Sequence, residues 1–398
     1  MASTKNPTKF SRWSVKTLDD YNFKLKRVLL RIDLNSPINK KKVEISARFK
    51  AHIQTIKELK KKGAKIVIIS HQSMPKRKDF ISLKQHAKLL NQYIKVKFVD
   101  DIIGKKAVTA IKKLKAGEIL LLENVRFLKE EFKPSKKNRL IKILSPLFDI
   151  YVNDAFSVSH RKQTSIISFS KVLPSCAGRV MEKEINSLKE LNKFKKPAIY
   201  ILGGEKIEDN LLIIKKKKID FILACGIFGQ LCLISKGKDL GEQNKYIKNT
   251  LGYKKNRKLK QLINKKNFIF PKDFGVKENE KRKDYDLEMF PLKYEIFDIG
   301  PKTQKEFIKI IKKAKSIFMK GTPGFSEDKR FSAGTKNILK AIENSKAFSV
   351  IGGGHTTTAI KRFKIKEDKI SHISLSGGAL IEFLAGKKLP GVEALCMT

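Results

Sequence analysis

The strongest constraint on this chain is a repeated pattern. A short run of consecutive apolar residues is closed by glycine or polar residues and followed by a longer amphipathic stretch. The runs are Val28–Ile32, Ile66–Ser70, Ile119–Leu122, Ile150–Val152, Ala198–Leu202, Phe221–Ala224, Phe268–Phe270, Ser316–Met319, Phe348–Ile351 and Ile373–Leu375. Several are apolar at successive rather than alternate positions, as expected of strands covered on both faces. Between them lie stretches of helical period such as Ala47–Lys61 and Leu83–Tyr93. Strand and helix alternating this regularly specify parallel sheets built from right-handed βαβ units. A chain of 398 residues, 41% of them hydrophobic, is long enough for two or three such cores.

A turn signal, Leu173-Pro174-Ser175, precedes a long helical pattern from Met181 to Leu191. It divides the chain into two similar halves, 1–180 and 181–384. The expected fold class is therefore α/β: two doubly wound parallel-sheet domains facing a cleft and joined by a central helix.

Composition narrows the function classes. No apolar stretch approaches the roughly 20 residues of a membrane span. The polar start, Met1 to Trp13, lacks the apolar segment of a secretory signal, so the cytoplasm is the expected compartment. Cys176, Cys225, Cys232 and Cys396 form no CxxC pair and are expected as reduced thiols; the histidines show no HExxH spacing, so no protein-held metal is expected. The charge is extreme, 87 Lys+Arg against 39 Asp+Glu, a net +48. Only 13 of the basic residues are arginine, and lysines are spread over loops and exposed faces, as in Lys60-Lys61-Lys62, Lys215 to Lys218 and Lys254 to Lys266. With no basic run interleaved with aromatics, this reads as a solvated surface rather than a specific nucleic-acid site. Such a field still steers anionic metabolites inward.

Ligands of open α/β sheets bind beyond the carboxyl ends of the strands, so the residues after each apolar run carry the functional signal. In the first half these are Asp33 and Asn35, His71, Asn124 and Arg126, then Asn153, Asp154, His160 and Arg161, with Arg48 opening the helix after the first strand. Guanidinium forks match phosphate and carboxylate oxygens, so this edge suits a small, multiply anionic metabolite. An aspartate in such a place also serves as a helix cap. In the second half, glycine clusters follow the strands: Gly203-Gly204 with Lys206, Gly226 with Gly229, Gly321 with Gly324, Gly352-Gly353-Gly354, and Gly377-Gly378. Glycine admits phosphate close to the backbone, and a helix starting near Thr356 offers free N–H groups. Neither a P-loop nor a dinucleotide fingerprint is present.

Together these segments resemble the phosphoglycerate kinase family, most closely its archaeal form. The similar stretches are Arg31-Ile-Asp-Leu-Asn35, Ser70-His-Gln, Leu121-Leu-Glu-Asn-Val-Arg-Phe127, Tyr151-Val-Asn-Asp-Ala-Phe156 with His160-Arg161, and Ala177-Gly-Arg-Val-Met-Glu-Lys-Glu184. Further on come Phe331 to Lys336, Ser376-Gly-Gly-Ala379 and the closing Glu382-Phe-Leu-Ala-Gly-Lys-Lys-Leu-Pro-Gly-Val-Glu-Ala-Leu395. The resemblance implies a monomeric bilobal kinase that moves a phosphoryl group between 1,3-bisphosphoglycerate and ADP, giving 3-phosphoglycerate and ATP, with Mg²⁺. It implies that Asp33, Asn35, Arg48, His71, Arg126 and Arg161 hold the acid. Lys206, Glu327, Gly353, Gly354, His355 and Thr356 would hold the nucleotide. Arg48, Lys206 and Gly354 would act on the transferring group. The tail, 385–398, would pack back on the first domain.

The chain also departs from the family pattern. His355 stands where the family has an Asp that helps place the Mg²⁺-nucleotide, and it is expected to face phosphate. Lys320-Gly321-Thr322 replaces Asn-Gly-Pro, Glu205 replaces a small residue, and Asn210 stands where many members carry Lys and archaeal forms often a small polar residue. On the acid side Met74 replaces an Arg and Ser73 a Gly, with Lys76 or Arg77 as possible substitutes for the charge. Two readings follow: a working kinase with a rearranged nucleotide site, or a kinase-like protein that binds phosphorylated metabolites or polyanions with weak or lost transfer.

Overall fold

The computed structural model describes residues 14–191, 194–216, 219–251, 257–265 and 267–396. The polar start, Lys217-Lys218 and parts of the Lys254–Lys266 stretch lie outside them. The chain falls into two compact units. One runs to Lys189 and resumes at Lys388; the other spans Glu190–Lys387. The division falls inside the helix Arg179–Leu191, beyond the turn signal at Leu173-Pro174-Ser175.

The first unit contains β1 (Arg27–Arg31), β2 (Ile38–Asn39), β3 (Lys42–Val43), β4 (Lys65–Ile69), β5 (Lys97–Val99), β6 (Ile119–Leu122), β7 (Ile150–Asn153) and β8 (Ser175–Ala177). Six of them form a parallel sheet in the order β5-β6-β4-β1-β7-β8, and β2 and β3 make a small separate hairpin. Leu29 pairs with Val67 on one side and Tyr151 on the other, so β1 sits where the winding reverses. Consecutive apolar residues feed opposite faces. Val28, Leu30, Ile66 and Ile68 pack with Phe49, Ile56 and Leu59 of the helix Ala47–Lys61. Leu29, Val67 and Ile69 pack on the other side with Ala107, Ile111, Leu140 and Leu144. Each such buried side chain contributes about 1.5–3 kcal/mol. Ser46 caps the helix Ala47–Lys61 by accepting from the Phe49 amide at 3.1 Å, which fixes Arg48 in its first turn.

The second unit adds β9 (Ala198–Leu202), β10 (Phe221–Ala224), β11 (Phe268–Ile269), β12 (Asp273–Glu278), β13 (Lys281–Asp286), β14 (Ile296–Ile299), β15 (Ser316–Lys320), β16 (Phe348–Gly352) and β17 (His372–Ser374). Its parallel sheet has the order β11-β10-β9-β15-β16-β17. An antiparallel sheet, β13-β12-β14, is inserted between β11 and β15. The polar composition of Lys281–Asp286 hides it from a search for apolar runs.

The helix Pro390–Leu395 belongs to the first unit, where the Gly391 amide donates to the Ser159 carbonyl at 2.8 Å. Cys176, Cys225 and Cys232 are buried free thiols, each pushed up in pKa by burial. Among the described residues no helix is long and apolar enough to cross a membrane, and no group of three metal-ligating side chains occurs.

Candidate active site

The first unit gathers the polar residues after β1, β4 and β6 around a buried arginine. Arg31, inside the apolar run of β1, is fully buried. Its Nε donates to Ser165 Oγ at 2.8 Å and its Nη2 to His71 Nδ1 at 3.1 Å. Glu131, also buried, accepts from the Ser165 amide and hydroxyl at 2.9 and 2.7 Å. Burial pushes the Glu131 carboxyl up and the Arg31 guanidinium down. The sequence reading placed no functional weight on Arg31; its signal was a charged residue closing an otherwise apolar strand.

Because Arg31 donates to Nδ1, the His71 ring proton sits on Nε2, which faces Asp33 Oδ1 at 3.8 Å. Burial holds the imidazole well below its usual pKa against the pull of Asp33, and the charges on Arg126, Arg31 and Arg161 act with burial. His71 is therefore a neutral donor. Asp33 accepts from Arg48 Nη1 at 3.1 Å and from the Ser157 hydroxyl. Burial opposes its ionisation, but the charges of Arg48 and Arg31 and the Ser157 hydroxyl hold the carboxyl below the usual carboxylate range.

Arg126 is buried, with Nη1 on the Ser73 carbonyl at 2.5 Å and Nη2 on Gln163 Oε1 at 3.1 Å. Burial first, then Arg31 and Arg161, press its pKa down to about 9, which leaves it charged at neutral pH. Arg161 is half-buried and rests Nη1 against Met74 Sδ at 3.5 Å. The Nε atoms of Arg126 and Arg161 are both buried without a hydrogen-bond partner. Asn35 accepts from the Ser73 amide at 2.7 Å and holds that turn, where Ser73 adopts φ +56°. A left-handed φ explains why glycine suits this position. Lys76 and Arg77 are both exposed.

Three other strand-end residues turn inward to the scaffold. Asn124 donates to the Gln72 and Ile81 carbonyls at 3.0 Å each, and Asn153 donates to the Ile166 carbonyl at 3.3 Å. Asp154 caps the helix Arg179–Leu191 by accepting from the Val180 and Met181 amides at 2.8 and 3.1 Å.

In the second unit the strand ends are lined by glycine. The Gly203 amide donates to the Lys320 carbonyl at 2.8 Å, and Gly321 at φ +81° passes so close that a Cβ there would meet the Gly203 carbonyl carbon at 2.4 Å. Gly353, at φ +105°, starts the helix Gly354–Arg362 without a side-chain cap. A Cβ on Gly354 would enter open space, and the buried Thr356 hydroxyl has no hydrogen-bond partner. A helix N-terminus with open backbone N–H groups and an unmatched hydroxyl suits phosphate oxygens. Lys206 is exposed at the start of the helix Ile207–Lys216.

His355, in the first turn of the helix Gly354–Arg362, meets Glu327. Its side chain is 83% exposed and its Nδ1 lies 3.2 Å from Glu327 Oε1, because the first turn of its helix turns the ring towards that carboxylate. Burial works to raise the Glu327 pKa, but the His355 bond and charge, a backbone amide and the Ser326 hydroxyl together hold it below its ordinary value. Glu205 is exposed; its charge acts on the Tyr246 hydroxyl, whose pKa rises through burial and then this charge.

The phosphoglycerate kinase family model matches residues 18–387. The chain is 42% identical to the phosphoglycerate kinase of Sulfolobus acidocaldarius, covering 97% of each, and 40% identical to that of Methanothermus fervidus, covering 95% of this chain and 96% of the relative. Its fold matches the crystal structure of the Pyrococcus horikoshii phosphoglycerate kinase with a TM-score of 0.86 at 37% identity, over 96% of this chain and 98% of that one. With near-complete coverage in both directions, the chain belongs to the phosphoglycerate kinase family, phosphotransferases that use a carboxyl group as acceptor.

Proposed function

We propose that this chain catalyses the reversible transfer of a phosphoryl group between 1,3-bisphosphoglycerate and ADP. In the direction of ATP use, a carboxylate oxygen of 3-phosphoglycerate attacks the γ-phosphorus. A new P–O bond forms to the acid, the bond to the β–γ bridging oxygen breaks, and ADP leaves. The observation that carries the acid half is the pair of buried Nε donors on Arg126 and Arg161 without partners. An orphaned buried guanidinium donor is costly unless an anion completes it. Neutral His71 and Asn35 supply hydroxyl-directed groups, and the ionised Asp33 holds Arg48 at the rim, 30% exposed, as the cation for the transferring group.

The nucleotide half rests on Lys206, Glu327 and the loop Gly353 to Thr356. The open space beside Gly354 at the helix start and the unmatched Thr356 hydroxyl fit an anionic phosphate chain. They do not include an oxygen ligand for Mg²⁺ at position 355, since an imidazole stands there and Mg²⁺ prefers oxygen. The carboxylate of Glu327 is engaged by His355, and that of Asp209 by Lys320. No catalytic step is therefore assigned to the metal. What the chain itself supplies is positioning and charge neutralisation, the main requirements of phosphoryl transfer.

A coupled turnover assay with ATP and 3-phosphoglycerate tests the reading, with calorimetric titration of each substrate. Turnover with saturable dependence on both supports it. Binding of 3-phosphoglycerate with no turnover under any Mg²⁺ concentration overturns it in favour of a kinase-like binding protein.

A further inference from the structure

Lys320 ends the strand β15, with Leu202 as its register partner on one side and Gly352 on the other. The residues just beyond those partners are Gly203-Gly204 and Gly353-Gly354, so Lys320 stands between the two glycine loops. Its side chain is only 12% exposed. The ammonium lies 3.2 Å from Asp209 Oδ2 and 3.3 Å from Asn210 Oδ1, both on the helix Ile207–Lys216. Asn210 is buried and its Nδ2 is committed to the Gly203 carbonyl at 3.1 Å. The buried amide thus ties the helix to the Gly203 loop and carries no charge of its own to offer an anion.

Three features exceed what a structural ion pair requires. An ammonium has three N–H donors, and two are matched here; the third has no partner among the described residues. Asp209, the balancing carboxylate, is itself 32% exposed and offers limited compensation for a buried charge. Burial lowers the Lys320 pKa against the pull of Asp209, and the charge of Lys206 lies close enough to act in the same direction as burial. Two cations held in each other's field are stabilised when an anion enters between them. The exchange in sequence points the same way. Many members of the family carry lysine at 210, archaeal forms often a small polar residue, and the family pattern has asparagine at 320; here the residues are Asn210 and Lys320, and the two side chains touch.

Building on the kinase reading, we propose that Lys320 is a phosphate ligand of the nucleotide site, its ammonium supplying from the end of β15 the charge that a lysine at position 210 would supply from the helix. Lys320 leans on Asp209 and Asn210 in the free chain and turns its open N–H to the nucleotide when phosphate arrives between the loops.

The test is calorimetric titration of ADP and, separately, of 3-phosphoglycerate into the full chain, the Lys320→Gln variant and the N210K/K320N double variant, with thermal melting of each. Loss of one charge-assisted bond predicts that K320Q binds ADP about tenfold or more weakly while its 3-phosphoglycerate affinity stays unchanged. The double variant, which restores the cation on the helix, recovers ADP affinity to within about threefold of the starting chain. ADP affinity unchanged in K320Q overturns the role of Lys320 and leaves the kinase reading standing. A double variant that melts like the starting chain yet binds ADP no better than K320Q overturns it too. Failure of the unaltered chain to bind ADP at all overturns both.

Discussion

His52 Nδ1 lies 2.8 Å from Asp154 Oδ2, a fully buried pair that joins the acid site to the start of the helix Arg179–Leu191. The Asp33 amide donates to His52 Nε2 at 3.2 Å, which places the ring proton on Nδ1, towards Asp154. The other oxygen of Asp154 accepts from the first amides of that helix. A continuous chain of hydrogen bonds thus runs from the backbone of Asp33 through His52 and Asp154 to the helix in which the two compact units divide.

Removing the middle of that chain is expected to be costly. Asp154→Ala deletes a helix cap and leaves the His52 ring without its buried partner, a loss of about 3 kcal/mol. Denaturant unfolding of the variant should show this loss, and hydrogen exchange at the Val180 and Met181 amides should accelerate. Exchange at those two amides as slow as in the unaltered chain would remove Asp154 from the linkage.

Buried histidines set the acid limit of stability. His86 is buried, with Nε2 3.0 Å from Gln72 Oε1 and its Nδ1 unpartnered. Burial lowers its pKa to about 4, with Asp33 pulling the other way. The unfolded chain, with an ordinary imidazole near pH 6.5, takes up a proton that the native state refuses until about pH 4. Stability contributed by His86 is therefore full above about pH 6.5 and falls as pH drops towards 4, by at most about 1.4 kcal/mol per pH unit. His71, also lowered by burial, adds to the slope in the same direction. Unfolding midpoints measured from pH 7 to 4 should decline, and His86→Gln should flatten the decline. An unchanged slope in that variant would exclude His86 as a contributor.

Arg126 tests the acid site directly. Arg126→Met keeps much of the buried stem while removing a guanidinium whose Nε awaits a partner. Loss of a desolvated charged contact of this kind costs about 2–5 kcal/mol in binding. Titration should show 3-phosphoglycerate affinity falling by about 30-fold or more, with ADP affinity unchanged. Equal losses for both ligands would point to a folding defect instead.

Much of this architecture is readable from the chain because burial on both faces leaves an uninterrupted apolar run. Each of the ten runs overlaps a strand of one of the two parallel sheets. The elements left unread lack that signature. Ser175–Ala177 is short and small, and Lys281–Asp286 pairs in a ladder with charged side chains facing water. The family motifs pointed to Asp33, Asn35, Arg48, His71, Arg126 and Arg161, whereas Arg31, which contacts His71 from inside a strand, carries no signal beyond a charge in an apolar run. Asn124, Asn153 and Asp154 occupy the same kind of position as Asp33. Whether such a residue faces ligand or caps a neighbouring backbone depends on which N–H groups the fold brings within reach, and single-chain spacing does not encode that. The position of His355 was legible, but the direction of its ring was not, since Glu327 lies 28 residues away in sequence.

The His355–Glu327 pair yields the last prediction. As it stands, an exposed imidazole takes Oε1 of the carboxylate, Oε2 accepts from the Ser326 hydroxyl at 3.3 Å, and the imidazole itself brings no oxygen for a divalent ion. His355→Asp places a second carboxylate beside Glu327 and removes the ring that holds it. Two neighbouring carboxylates repel each other and attract Mg²⁺, an oxygen-seeking ion that is usually held by one or two carboxylates together with phosphates. ADP titrated with and without Mg²⁺ should therefore show a larger Mg²⁺-dependent gain in H355D than in the unaltered chain, by about tenfold if one well-placed charged contact is added. Turnover in the coupled assay should rise in parallel where metal placement limits it. The same Mg²⁺ gain in both proteins would show that position 355 does not reach the metal.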